Sequence, residues 1–134
     1  MKFVLDSNVL FTFFWEDSII RNILTTKYMD LVSPEFALGE INKYQDDIIR
    51  KAKISKNKFQ MMREELSLLV DFIPIEDYED QLKNAIKISP DPDDVDFFAL
   101  ALKNSCSIWS NDSDLKKQSA VDVLNTKEII KLLA

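Results

Sequence analysis

Chemistry in this chain of 134 residues falls to carboxylates. There are no histidines, which excludes Ser-His-Asp and Cys-His catalysis and any His-ligated zinc site. One cysteine, Cys106, rules out a disulfide framework, an all-cysteine zinc site and a CxxC redox pair. One glycine, Gly39, is too few for a Walker loop or a dinucleotide fingerprint. What remains is 23 Asp plus Glu against 17 Lys plus Arg, a net charge of −6. The acids that stand out are Asp6 in Leu5-Asp6-Ser7-Asn8, Glu40, the run Asp91-Pro92-Asp93-Asp94-Val95-Asp96, and Asp112 with Asp114 in Ser110-Asn111-Asp112-Ser113-Asp114.

Each has an ordinary use as well. Asp6 suits a helix N-cap, although Ser7 or Asn8 could take that job and leave it free. Acids in a first helical turn complement the helix dipole, which accounts for one or two of the four between Asp91 and Asp96. Counted from Asp91, an EF-hand loop fails, because its glycine position is Asp96 and its twelfth is Leu102. A turn rich in Ser, Asn and Asp around Asp112 is common loop chemistry. Glu40 differs: it sits in or beside the apolar stripe of Ala37, Ile41, Tyr44 and Ile48, where a buried carboxylate needs a partner. Asp94 lies one turn before Phe98, which aims it inward more than Asp91 or Asp93.

The elements that must position these acids are short strands alternating with helices. Lys2–Leu5 is a buried-type strand ending at Asp6. A helix runs from Asn8, with Val9, Phe13, Ile20 and Leu24 among its core positions. A strand over 28–32 follows, then a helix that Ser33 caps with Pro34 at its first position. Ser55 caps a further helix with the stripe Phe59, Met62, Leu66 and Leu69. A strand over 71–75 and a helix over 76–88 come next. Asp91-Pro92 opens a helix carrying Val95, Phe98, Ala99 and Leu102. Strands over 107–110 and 120–124 and a helix ending at Ala134 complete the chain. This pattern predicts one α/β domain over residues 1–134, with a mostly parallel sheet covered by helices on both faces. In such sheets ligands bind outside the carboxyl ends of strands, where Asp6 and Asp112 fall. Acids gathered there repel one another unless a cation neutralises them, and an oxygen-only donor set selects a hard cation, Mg²⁺ or Mn²⁺. Such a cluster serves phosphoryl transfer, with a metal-activated water as nucleophile.

Four segments, in order, resemble the PIN domain family over nearly the whole chain. They are Val4-Leu5-Asp6-Ser7-Asn8-Val9-Leu10, Ser33-Pro34 through Gly39-Glu40-Ile41, Asp91-Pro92-Asp93-Asp94-Val95 with Ala99-Leu100-Ala101, and Ile108-Trp109-Ser110-Asn111-Asp112-Ser113-Asp114-Leu115. The resemblance implies a three-layer α/β/α sandwich and a ribonuclease dependent on Mg²⁺ or Mn²⁺. Carried over by position, its acidic tetrad falls on Asp6, Glu40, Asp94 and Asp112, with Asp93 and Asp96 flanking the third. Asn8 and Ser110 match supporting positions and Asp114 a frequent extra acid. Small members of this kind include VapC-type toxins, so the resemblance also implies RNA as substrate, a cognate antitoxin protein and a homodimer. Two other readings of the same acids remain: an aspartyl phosphotransferase, whose second acid would fall at Asn8, and a catalytically silent PIN-like domain that binds RNA or protein.

Charge is unevenly spread. From Ile48 to Arg63 there are six basic residues and no acid. Among them Arg50, Lys53 and Lys58 are candidates for holding RNA phosphates. If one helix continued from Glu40, Arg50 would lie about 15 Å along it at 1.5 Å per residue. Apolar stretches such as Val9–Trp15 fall well short of the ~20 residues that span a bilayer. No signal-peptide core follows Lys2. With a free cysteine, this leads to the expectation of a cytoplasmic protein without membrane contact.

Overall fold

The computed structural model describes residues 1–15 and 17–134. Five strands form one sheet: β1 (Lys2–Leu5), β2 (Asp30–Pro34), β3 (Asp71–Ile73), β4 (Ser107–Trp109) and β5 (Val123–Leu124). Their order is β3-β2-β1-β4-β5 and every neighbouring pair is parallel. The helices are α1 (Ser7–Thr12), α2 (Ile19–Thr26), α3 (Glu35–Lys43), α4 (Gln45–Ala52), α5 (Lys56–Leu69), α6 (Leu82–Ile88), α7 (Val95–Asn104) and α8 (Thr126–Leu133).

The chain moves outward from β1 to β2 to β3, then returns past β1 to β4 and β5. Right-handed crossovers therefore put α1 to α5 on one face and α6 and α7 on the other. The packing agrees: α3 lies on β2 and β3 beside α1, while α7 lies across β1, β2 and β4 against α6. This three-layer α/β/α arrangement is the expected fold class. Burial on both faces explains why β1 reads Phe3-Val4-Leu5 without alternation, all three being buried. The core is strongly aromatic: Trp109, Phe13, Phe14, Phe59, Phe97 and Phe98 are fully buried. Each contributes about 1.5–3 kcal/mol by leaving water. Phe14 stacks on Phe59 with ring centroids 4.9 Å apart, tying the end of α1 to α5.

Several local expectations need correction. The helix expected from Asn8 onward is two helices. The first ends at Thr12, and Phe13 and Phe14 follow it into the core, both fully buried. Ser18 starts α2 by accepting from the Arg21 amide. The expected helix also ran over position 16, which lies outside the described residues. Ser33 is not a helix cap. It belongs to β2, which extends to Pro34 and pairs with β3, and its fully buried hydroxyl donates to the Leu5 carbonyl at 2.9 Å. That strand begins at Asp30 and leaves Tyr28 92% exposed.

The helix through Glu40 is also two helices. Tyr44, at φ −100° and ψ 18°, bends the path between α3 and α4, although its amide still bonds to the Glu40 carbonyl at 2.9 Å. Arg50 therefore does not lie on a straight continuation from Glu40. Residues 75–81 form two 3-10 turns before α6, and Pro92–Asp94 forms one before α7. Ser55 caps α5 as expected. The last two strands are shorter than expected, β5 having two residues.

Candidate active site

The strand order reverses between β1 and β4, and in open α/β sheets the ligand crevice lies outside the carboxyl ends of the strands at such a point. Asp6 follows β1 directly and its amide donates to the Trp109 carbonyl at 3.0 Å. It is the N-cap of α1, with Oδ1 accepting from the Ser7 amide at 2.8 Å, so the cap role is its own and was not passed to Ser7 or Asn8. The same carboxylate faces the crevice. Its Oδ2 accepts from the Ser110 hydroxyl at 2.6 Å and from Asn8 Nδ2 at 2.8 Å. Three donors thus hold a side chain that is only 5% exposed. A carboxylate has about four acceptor sites, which leaves one on Oδ1.

Ser110 and Asn8 are themselves braced. The Ser110 oxygen accepts from the Asp112 amide at 3.0 Å, and Asn8 Oδ1 accepts from the Asn111 amide at 3.3 Å. Asn111 Oδ1 in turn accepts from the Thr126 amide at 2.9 Å and hydroxyl at 3.0 Å. Trp109 Nε1 donates to the Thr126 oxygen at 3.1 Å. The loop after β4 is therefore locked to the start of α8. Asn111, which the sequence offers with Ser110 as a residue able to orient a carboxylate or a water, takes a bracing role, whereas Thr126 was not anticipated from sequence. Thr126 is brought in only by the β4–β5 pairing.

Electrostatics brings three acids together. Burial pushes the Asp6 carboxyl up, the Ser110, Ser7 and Asn8 hydrogen bonds pull it down, and the Asp112 charge adds to the rise. Asp94, at the end of the turn before α7, is pushed up to about 7. Burial is the largest cause, followed by the charges of Asp6, Asp91, Asp112 and Asp93. Asp94 is half-buried whereas Asp91 and Asp93 are exposed, the orientation its spacing from Phe98 predicts. Asp91 caps the turn by accepting from the Asp93 amide at 2.8 Å. Asp96 faces elsewhere and accepts from the buried Tyr78 hydroxyl at 2.6 Å.

Glu40 joins from α3 through Ser7, whose hydroxyl donates to its Oε1 at 3.2 Å. That contact is the polar partner its place in the apolar stripe required, and Ser7 is a residue the sequence reading passed over in this role. Asp114 turns outward: its amide bonds to Asp112 Oδ1 at 3.0 Å and its carboxylate pairs with Lys117 at 2.9 Å. Arg50, on α4, pairs with Asp47 at 2.8 Å. Lys53 closes α4 in the left-handed region at φ 57°, and Lys58 lies in the first turn of α5.

The donor chemistry fits a hard divalent cation: carboxylate oxygens only, with the Asp112 charge raising Asp6 and the charges of Asp6 and Asp112 raising Asp94. As the side chains stand, no group of three or more Asp, Glu or Cys among the described residues has closed to ion-holding distance. A family model described as PIN domain matches residues 4–132. The chain belongs to the PIN domain family. PIN domains are generally nucleases, which places this one among folds that hydrolyse phosphodiester bonds. No curated protein matches the chain. In this PIN domain no helix among the described residues is long and apolar enough to cross a membrane.

Proposed function

We propose that this PIN domain is a ribonuclease that hydrolyses RNA phosphodiester bonds with Mg²⁺ or Mn²⁺ held by Asp6, Glu40, Asp94 and Asp112. The observation that carries the reading is the Asp6 carboxylate at the carboxyl end of β1, only 5% exposed and held by three donors, with its charge and that of Asp112 bearing on Asp94 from another part of the chain. When bound, the cation would neutralise that charge, polarise the scissile phosphate and lower the pKa of a water.

The chain's own residues do the positioning. Ser110, Asn8 and the Ser7 amide fix the Asp6 carboxylate in one orientation, which supports its role as principal ligand. Asp94 is the second, its pKa raised first by burial and then by the charges of Asp6 and its other acidic neighbours. Glu40 and Asp112 complete the set directly or through water, Glu40 held by Ser7 and Asp112 by its place after Ser110. Arg50, Lys53 and Lys58 would hold flanking phosphates. VapC-type toxins are among the small members of the family that the four motifs resemble, which supports extending this reading to the toxin of a toxin–antitoxin pair, acting in the cytoplasm as a homodimer and silenced by a cognate antitoxin.

The test is cleavage of end-labelled RNA by purified protein with Mg²⁺ or Mn²⁺, with EDTA, and by Asp6→Asn and Asp94→Asn. Cleavage should require the metal and be nearly abolished in both variants while their circular dichroism stays that of the wild type. Undiminished cleavage in excess EDTA, or wild-type activity in either variant, would overturn it.

A further inference from the structure

The helices α1 and α3 leave neighbouring strands at the same sheet edge and run side by side. Ser7, the first residue of α1, meets Glu40 in the second turn of α3. Four residues on along each chain segment, about 5.4 Å for a helical turn, Phe11 in α1 meets Tyr44, the residue that closes α3, edge to face with ring centroids 6.3 Å apart. These two rings line a cleft of about 270 Å³ together with Trp15, Ile48, Lys51 and Asp47. Trp15 and Lys51 also line a second cleft of about 540 Å³ that reaches Lys53. Lys43 Nζ lies 5.3 Å from the Tyr44 ring centre. Asp47, the acid in the first cleft, is paired with Arg50. Between positions 43 and 58 there are six Lys or Arg and two Asp, in a protein whose net charge is −6.

Partly exposed aromatic faces interleaved with cations are the chemistry that holds single-stranded nucleic acid: bases stack on the rings and phosphates meet the ammonium groups. The cleft begins one turn from the Ser7–Glu40 contact, so a strand whose phosphate lies at the acids reaches it without leaving the surface. Positive charge and this continuity favour RNA over a peptide, for which the apolar walls alone would speak. We propose that the cleft walled by Phe11, Trp15 and Tyr44 is a base-stacking subsite for single-stranded RNA, with Lys43 and Lys51 holding the adjoining phosphates. This rests on the reading of the acidic cluster as a ribonuclease site.

Of the two tryptophans, Trp109 is fully buried and Trp15 half-buried, so a ligand that changes indole emission reports on the cleft. The protein is titrated with an eight-nucleotide purine-containing single strand, and with its duplex, with Ca²⁺ in place of Mg²⁺ to limit turnover. The single strand should change the emission saturably and the duplex should not. Tyr44→Leu should weaken binding about 5- to 150-fold, the range for losing one base stack. In cleavage with Mg²⁺, Tyr44→Leu and Lys51→Ala should raise KM and leave kcat within a few-fold. Tyr44 is 40% exposed, so the leucine variant should melt as the wild type does. Unchanged emission, or wild-type affinity in both variants, overturns the subsite; if wild-type protein still cleaves RNA, the ribonuclease reading survives. Binding that depends on Tyr44 in a protein that cleaves no RNA supports the subsite and overturns the ribonuclease.

Discussion

Removing the Asp94 charge should stabilise the metal-free protein, and only where that charge exists. The carboxyl of Asp94 titrates near 7 in the folded state against an ordinary 3.8. One pKa unit is about 1.36 kcal/mol, so the bare shift converts to about 4 kcal/mol. Asp94 is only half-buried, and solvent screening reduces this to about 1–2 kcal/mol. The sign follows from proton binding. The folded state holds the Asp94 proton more tightly than the unfolded chain, so this contribution to stability is fully present below pH 3.8. It is lost as pH rises through about 7. Asp94→Asn mimics the protonated form at every pH. Thermal melts in EDTA from pH 4 to pH 8 should therefore show wild type and variant similar at pH 4. At pH 8 the variant should melt higher, by roughly 3–8 °C for a domain of this size. A variant that melts with the wild type or below it at pH 8, with the same pH slope, would refute the claim that Asp94 stands against the charges of Asp6 and Asp112.

Other outcomes follow from the same geometry. Ser110→Ala removes the shortest of the three hydrogen bonds to Asp6 and should lower metal affinity or cleavage by about 10- to 100-fold, read as the Mn²⁺ concentration for half-maximal cleavage. Mg²⁺ or Mn²⁺ at about 100 times its Kd should add about 2.7 kcal/mol to stability, seen as a rise in Tm that EDTA reverses and that Asp6→Asn abolishes. Changing Arg50, Lys53 and Lys58 together to Glu should weaken RNA binding and flatten its dependence on salt, because fewer counterions are released; an unchanged salt slope would assign these side chains to solvent.

The positions of Asp6 and Asp112 were legible because each comes shortly after a brief apolar run, Phe3-Val4-Leu5 and Ile108-Trp109, and acids just past such strands fall at the sheet's carboxyl edge. Asp94 was legible from its spacing to Phe98, and Glu40 from standing among Ala37, Ile41 and Ile48. What sequence could not supply were contacts made by strand pairing. Ser33 has the local look of a helix cap, yet pairing of β2 with β3 keeps it in the strand, where it bonds to Leu5. Ser7 reaches Glu40 only because β1 and β2 are neighbours, and Thr126 reaches Asn111 only because β4 and β5 are. The breaks at Thr12 and Tyr44 carry no glycine or proline. The first falls just before the buried Phe13 and Phe14, the second at a single bent residue. Local periodicity is blind to both.

The central claim is that four carboxylates share a divalent cation. Crystals soaked in Mn²⁺ and measured at an anomalous-scattering wavelength test it most directly. The account predicts a peak at the crevice between β1 and β4, within coordination distance of Asp6 and Asp94, with Glu40 and Asp112 in direct or water-bridged contact. A featureless crevice at millimolar Mn²⁺, or a peak held by other residues, would contradict it.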